Sequence, residues 1–385
     1  MMQKTMDKRS IMFLATTPFA VNAFLRTHME GLSPAYRILL CVNTRAYPLS
    51  DDVQTYAEVL HVDFARKMAP WQDLKALFQL LRIFVQTPPH AVHSITPKAG
   101  LLGMLAAWLV RIPLRYHTFT GQVWVTRRGV SRWLLKHFDK LIALFSTQVF
   151  ADSQSQCRLL ENEHVVRQGG ISVLGAGSIA GVDIERFHPD PDVRKTERAT
   201  AGTPASSMVF LYVGRLARDK GVFDLLTAFS GVVAKNGDVE LWMVGPDEEG
   251  LLPQLEKMEA LGGGRVRWMG ATSQPERYMV AADIFVLPSY REGFGSVIIE
   301  AAACGVPSIA YRIDGVVDAV VEGQTGVLVP SRDIDALAGA MQDLAVNGEK
   351  RCALGERALD RVRRNYSSTS ITAEWLKFYQ KSLAD

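Results

Sequence analysis

A chain of 385 residues is too long for one ordinary hydrophobic core, so two domains are expected. With 48% hydrophobic residues, 22% charged residues and a net charge of +3, it reads as a globular protein and not as a disordered or fibrous one. Four scattered cysteines (Cys41, Cys157, Cys304, Cys352) have no CxxC or Cys/His spacing, which argues against a zinc site or disulfide framework and fits a reducing cytoplasm.

Lys4, Lys8 and Arg9 precede the apolar run Ile11–Ala15, which is short and reads as a first buried strand more than as a leader. Further strand patterns follow at Tyr36–Val42, Ala91–Ile95, Leu114–His117, Leu141–Ala143 with Gln148–Ala151, and Ile171–Leu174. A helical pattern covers Pro70–Val85. The apolar stretch Ala99–Val110 is too short to span a bilayer and fits a core helix. In the second half, strands are expected at Met208–Val213, Glu240–Val244, Val266–Met269, Ile284–Leu287, Ser308–Ala310 and Gly326–Val329. Helical patterns at Gly221–Ala234, Leu251–Leu261, Gln274–Ala281, Ser296–Ala303 and Ile334–Asn347 separate them. Strands alternating with helices predict an α/β protein with parallel sheets covered on both faces.

His188–Ser207 has three prolines, mixed charge and no apolar period, and reads as a linker. Two doubly wound domains facing a cleft are therefore expected, with residues 1–190 and 191–370. The final helix, in 371–385, carries Trp375, Phe378 and Tyr379 and is expected to pack back across the junction. Residues 1–190 hold 21 basic and 14 acidic side chains, and the remainder 22 and 26, so the first half is basic and the second acidic. The basic half suits anionic lipid, a pyrophosphate or a nucleic acid.

Ligands of such sheets sit at the carboxyl ends of strands. Three turns of the second half fall there. In Val213-Gly214-Arg215-Leu216-Ala217-Arg218-Asp219-Lys220-Gly221, two cations five residues apart could clamp a diphosphate, Arg215 as a fork and Lys220 as a point charge. The bland reading is a solvated loop. In Arg291-Glu292-Gly293-Phe294-Gly295, Gly293 and Gly295 bare amides at a helix start, and Glu300 lies in the apolar run Val297–Ala303 that follows. A carboxylate there needs a fixed partner, either a ribose diol or a structural ion pair. Asp314-Gly315-Val316-Val317-Asp318 lines the same pocket or caps its helix.

The stretch from Ala281 to Pro330, AADIFVLPSYREGFGSVIIEAAACGVPSIAYRIDGVVDAVVEGQTGVLVP, resembles the signature of the family 4 retaining glycosyltransferases, which have the GT-B fold of two Rossmann-like domains. Glu292 and Glu300 match the family's Glu-seven-residues-Glu motif, and Gly214, Arg215 and Lys220 match its phosphate-binding loop. The resemblance implies catalytic roles for Arg215, Lys220 and Glu292, the first two neutralising the leaving diphosphate and the third touching the transferred sugar. It implies donor contacts from the amides of Phe294 and Gly295, from Glu300 to the ribose, and from the strand end Arg267–Gly270 to the nucleobase. No metal is implied, since Asp190 with Asp192 and Asp333 with Asp335 fall outside these loops. The donor is expected to be a nucleotide sugar, UDP-linked in the first place, with GDP as the alternative.

The first half departs from the family. Its segment from Thr16 to His28, including Phe19 and Asn22, lacks the paired glycines common after the first strand. The strand ends His93–Gly100, with Lys98, and His117–Gly121, with Thr118, are better acceptor-side candidates, and His117 resembles the family's cleft histidine near the transferred sugar, which implies a catalytic role for it. The segments HSITPKAGLLG, HTFTG and LGAGSIAGVDIERF resemble a subgroup that builds bacterial surface polysaccharides on polyprenyl-diphosphate carriers, with Ala176 where the subgroup has Asn. Arg111, Arg115, Arg127, Arg128, Arg132, Lys136 and Lys140 among Trp108, Trp124 and Trp133 suit an anionic leaflet, at about 1 kcal/mol per cation near the surface. A basic solvated helix is the bland alternative. The expectation is a peripheral enzyme on the cytoplasmic face of the membrane. A sugar-nucleotide epimerase of the same fold is disfavoured by the run around Glu292 and Glu300, and a nucleic-acid-binding protein by the lack of any recognisable binding module.

Overall fold

A computed structural model describes residues 8–45, 48–65, 68–261 and 264–384; Lys4 lies outside them. The chain divides into two compact units, Met1–Gly181 with Ser368–Asp385, and Val182–Ser367.

The first unit is built on a seven-stranded sheet: β1 (Ser10–Leu14), β2 (Arg37–Val42), β3 (Glu58–His61), β4 (Ala91–Ser94), β5 (Leu114–Phe119), β6 (Gln148–Ala151) and β7 (Ile171–Val173). Its order is β3-β2-β1-β4-β5-β6-β7, with every pairing parallel. Side chains alternate across a strand, and each set finds its own helix layer. Met12, Leu14, Leu39 and Cys41 face one core, covered by helices Pro70–Gln86, Pro97–Leu109 and Gly129–Phe145. Ile11, Phe13, Ile38 and Leu40 face the other, which Met29, Trp375 and Tyr379 fill from helices Arg26–Leu32 and Ser368–Ser382. Because both faces are covered, β1 is buried at every residue and reads as an unbroken apolar run.

The second unit carries β8 (Met208–Val213), β9 (Val239–Val244), β10 (Val266–Gly270), β11 (Ile284–Leu287), β12 (Ser308–Arg312) and β13 (Gly326–Pro330). Its parallel sheet runs β10-β9-β8-β11-β12-β13. The winding direction reverses between β8 and β11, which opens a crevice at their carboxyl ends.

Two expectations are corrected. Leu141–Ala143 lies inside helix Gly129–Phe145 and is not strand. The segment read as a linker contains helix Pro191–Thr200, which belongs to the second unit. Asp190 caps this helix through the amides of Asp192 and Val193, and Pro191 starts it. It docks through arginines in place of an apolar stripe. Arg194 and Arg198 both pair with Asp283, at 2.6 and 2.5 Å, and donate to the carbonyls of Ala281 and Ala282. Among the described residues no helix is long and apolar enough to cross a membrane.

Candidate functional site

The crevice of the second sheet is lined by the loops after β8 and β11, which touch backbone to backbone. Gly221 has φ +68°, and a Cβ there would lie 1.9 Å from the carbonyl oxygen of Pro288. Only glycine combines that conformation with that approach. The amide of Tyr290 donates to the carbonyl of Asp219 at 2.9 Å, completing the join. Gly315 plays the same part for the loop after β12. Its φ is +87°, and a Cβ would come within 2.4 Å of the Gly293 carbonyl oxygen, so the Asp314 turn packs on the Glu292–Gly293 turn.

The join brings the charged candidates together. Lys220 Nζ donates to Glu292 Oε1 at 2.6 Å, with both side chains mostly buried. Arg215 Nη1 donates to Glu248 Oε2 at 3.0 Å and has Asp219 at 4.0 Å. Arg291 pairs with Asp219 at 3.1 Å. The cations are thus held in place by acidic side chains. Tyr212 Oη donates to the Arg215 carbonyl at 2.6 Å and fixes the turn that follows β8.

Gly295, at φ +79°, immediately precedes helix Ser296–Ala303, and no side chain caps it. Phe294 is buried against Tyr366, with ring centroids 5.3 Å apart. Gly270 ends β10, and its carbonyl accepts from the Gly245 amide at 2.8 Å. Glu300 stands on the second turn of the helix, and among the described residues nothing hydrogen-bonds or ion-pairs with its carboxylate. The structural ion pair considered from sequence is therefore absent. Burial pushes the Glu300 carboxyl up to about 7, opposed by Arg186 and reinforced by Glu276. Arg186 itself is tied to Glu276 and to the Ser273 carbonyl, both at 2.6 Å.

The first unit places its candidates differently. Phe19 is 68% exposed. Asn22 bridges the Pro48 carbonyl and the Ser50 amide, a structural task. Lys98 pairs with Asp73 at 2.8 Å. His93 and Thr118 are core residues, which corrects the expectation that they face a ligand. His93 Nε2 bonds Thr118 Oγ1 at 2.8 Å, Nδ1 bonds Tyr379 Oη at 2.6 Å, and the ring stacks on Trp375 at 4.8 Å. His117 is also buried, with Nδ1 2.7 Å from Ser94 Oγ and its ring edge-on to Phe119. Burial lowers its pKa to about 3, so at neutral pH it is the neutral imidazole.

Sequence reasoning missed Glu248 and Asp219, the acidic partners of Arg215, and the pairing of Arg291 with Asp219. For Glu248 a signal existed: the acidic run Asp247–Glu249 closely follows β9 and falls under the strand-end rule.

The chain matches the family model for Glycosyl transferases group 1 over residues 193–361 and that for a Glycosyl transferase 4-like domain over residues 21–177. It is 32% identical over 330 residues to the capsular polysaccharide biosynthesis glycosyltransferase CapM of Staphylococcus aureus, spanning 85% of this chain and 86% of that protein. The chain belongs to the family 4 glycosyltransferases. Its likeness to solved structures gives this glycosyltransferase the GT-B fold. A sucrose-phosphate synthase from Thermosynechococcus elongatus superposes with a TM-score of 0.81 at 22% identity, covering 98% of this chain and 100% of that one. Anabaena HepE, solved in complex with UDP and glucose, superposes with a TM-score of 0.81 at 18% identity, covering 97% and 100%. The crevice described above lies wholly within the group 1 segment of the glycosyltransferase.

Proposed function

We propose that this glycosyltransferase moves a hexose or N-acetylhexosamine from a UDP-sugar to a polyprenyl-diphosphate-linked glycan, with retention of configuration and without a metal, during synthesis of a surface polysaccharide at the cytoplasmic face of the membrane. The observation that carries this reading is the Lys220–Glu292 pair and the Arg215 turn at the switch point of the second sheet, followed on the next helix by a Glu300 carboxylate that, among the described residues, has no hydrogen-bond or ion-pair partner. The relative CapM acts in capsular polysaccharide biosynthesis, and the similar fold of HepE was solved with UDP, which supports the donor and product classes.

In this reading the diphosphate displaces Glu248 from Arg215 and Glu292 from Lys220. The two cations and the amides of Phe294 and Gly295 then take up the negative charge that grows as the glycosidic bond breaks. Such preorganised charge is commonly the largest contribution to a rate enhancement. Glu292, once released, accepts from hydroxyls of the transferred sugar. Glu300 accepts two hydrogen bonds from the ribose diol, and the backbone at Gly270 passes the base. The acceptor hydroxyl attacks the anomeric carbon on the face the diphosphate leaves, and a phosphate oxygen takes its proton.

A thermal-shift panel of UDP, GDP, ADP and their sugars, on wild type and Glu300→Ala, tests the donor assignment. A ligand that binds only the folded state raises apparent stability by mass action. Stabilisation by UDP ligands that Glu300→Ala loses is the expected outcome, and stabilisation by none of them overturns the reading. The anomeric configuration of the product, and turnover in excess chelator, test retention and metal independence.

A further inference from the structure

The apolar side chains left exposed are not spread over the molecule. Of the fifteen large ones among the described residues, fourteen belong to the first unit and thirteen of those fall between Met68 and Leu144. Single exposed hydrophobics are ordinary, but a concentration of them marks an interaction surface.

Their positions follow helical geometry. On helix Pro70–Gln86, Trp71, Leu74, Phe78 and Val85 are spaced by three, four and seven residues, which puts them in one outward stripe about 60° wide. Trp71 is 85% exposed. The opposite side of the same helix, through Ala76, Leu80 and Phe84, is buried in the core. On helix Gly129–Phe145, Val130, Trp133 and Leu144 form a second stripe, backed by buried Asp139 and Ile142. Helix Pro97–Leu109 packs between these two, so both stripes belong to one three-helix layer on one side of the sheet. Cations accompany them. Arg82 lies at the edge of the first stripe, beside Lys75, which is paired with Asp63 at 2.8 Å, and Arg127 and Arg128 lead into the second helix. Among the described residues Arg82, Arg127 and Arg128 have no acidic partner. Apolar stripes edged by unpaired, long cationic side chains are what an interfacial helix presents to an anionic bilayer: rings and aliphatic chains enter the headgroup region, and the cations reach the phosphates.

We propose that the first unit docks on an anionic lipid surface through this layer, with helix Pro70–Gln86 lying in the interface plane and Trp71, Leu74 and Phe78 entering it. This deepens the reading of a membrane-linked acceptor and rests on it only for its biological purpose, since docking needs neither donor nor acceptor. The charge complementarity selects anionic lipid over a second copy of the chain, because two copies would bring Arg82, Arg127 and Arg128 against their own kind.

The test is flotation of the full chain with vesicles of phosphatidylcholine containing 30% phosphatidylglycerol, against phosphatidylcholine alone, for wild type, the double variant Trp71→Ser/Phe78→Ser and the control Val346→Ser in the second unit. Wild type and control are expected to float with the anionic vesicles, and the double variant to bind at least ten-fold more weakly while keeping its thermal transition and its UDP-induced shift. Wild type that stays with buffer, or a double variant that floats like wild type, overturns the proposal. So does a wild type that sediments as a dimer which the double variant abolishes. A flat nucleotide panel with intact flotation would sink the donor assignment and leave the docking surface standing.

Discussion

Lys220 and Glu292 share a 2.6 Å ion pair that ties the loop after β8 to the loop after β11. Both belong to the proposed donor site, so each holds the other until a diphosphate arrives. Lys220→Met removes a charge that acts on the leaving group and is expected to lower kcat on the order of 10²–10³-fold. Glu292→Gln leaves the ammonium without its counterion and the sugar without its acceptor, with a loss of about 10²-fold. Because the two side chains touch, the double variant should lose less than the product of the single losses. Steady-state rates with a saturating UDP-sugar measure all three, and strict multiplicativity would contradict the coupling.

Glu300 connects function to stability with opposite signs. Its carboxyl is pushed up to about 7 by burial, from an ordinary value near 4.5. The folded state therefore binds a proton that the unfolded chain has already released. The group contributes no penalty below pH about 4.5, and stability is lost as pH rises through 7. Glu300→Gln removes the penalty, so it should stabilise the free protein by on the order of 1–3 kcal/mol at pH 8 and by little at pH 4.5. The same variant should lose the UDP-induced thermal shift. A variant equally stable to wild type at both pH values would show that the carboxylate is not strained by burial.

Two glycines in the second unit should respond in opposite ways to the same change. Gly221→Ala forces a Cβ against the Pro288 carbonyl in a left-handed conformation, and is expected to cost more than about 2 kcal/mol and to abolish the UDP shift. Gly231 sits exposed in helix Val222–Val233, and a Cβ at that position would meet nothing within 4 Å. Gly231→Ala should raise stability by about 0.5–1 kcal/mol with unchanged activity. Urea unfolding midpoints decide both.

The strands of the second unit were legible because each is a short apolar run closed by a turn, as at Ile284–Leu287 before Pro288-Ser289. The residues proposed for the donor site could be named for the same reason, since sequence position fixes which side chains stand at strand ends. Helix Pro191–Thr200 was not, because Arg194 and Arg198 replace the apolar stripe that periodicity detects. Its Asp190-Pro191 start was a readable signal. Edge strand β3 was missed because Glu58–His61 is exposed at its first residue and only partly buried beyond it. His93 was misjudged because its partner Tyr379 lies 286 positions away, and no local pattern announces such a contact.

That contact sets the last prediction. Trp375 is stacked between His28, at 4.2 Å, and His93, at 4.8 Å, both nearly parallel to it. His28 also bonds Thr372 Oγ1 and the Ile179 carbonyl, so helix Ser368–Ser382 is pinned to its unit by two buried imidazoles. Burial lowers the His28 pKa to about 4, with the Ile179 carbonyl opposing, and holds His93 well below its ordinary value, helped by His117 and His28. The unfolded chain takes up these protons near pH 6.5 and the folded one does not. Stability is therefore full above pH 6.5 and falls as pH drops towards 4, by on the order of 2–3 kcal/mol for His28. His28→Gln should flatten this slope between pH 6.5 and 4 even though it lowers stability at pH 8 through the lost stacking. If the variant's unfolding free energy runs parallel to wild type across that window, His28 is not the group that titrates, and the acid sensitivity of the helix must lie with His93.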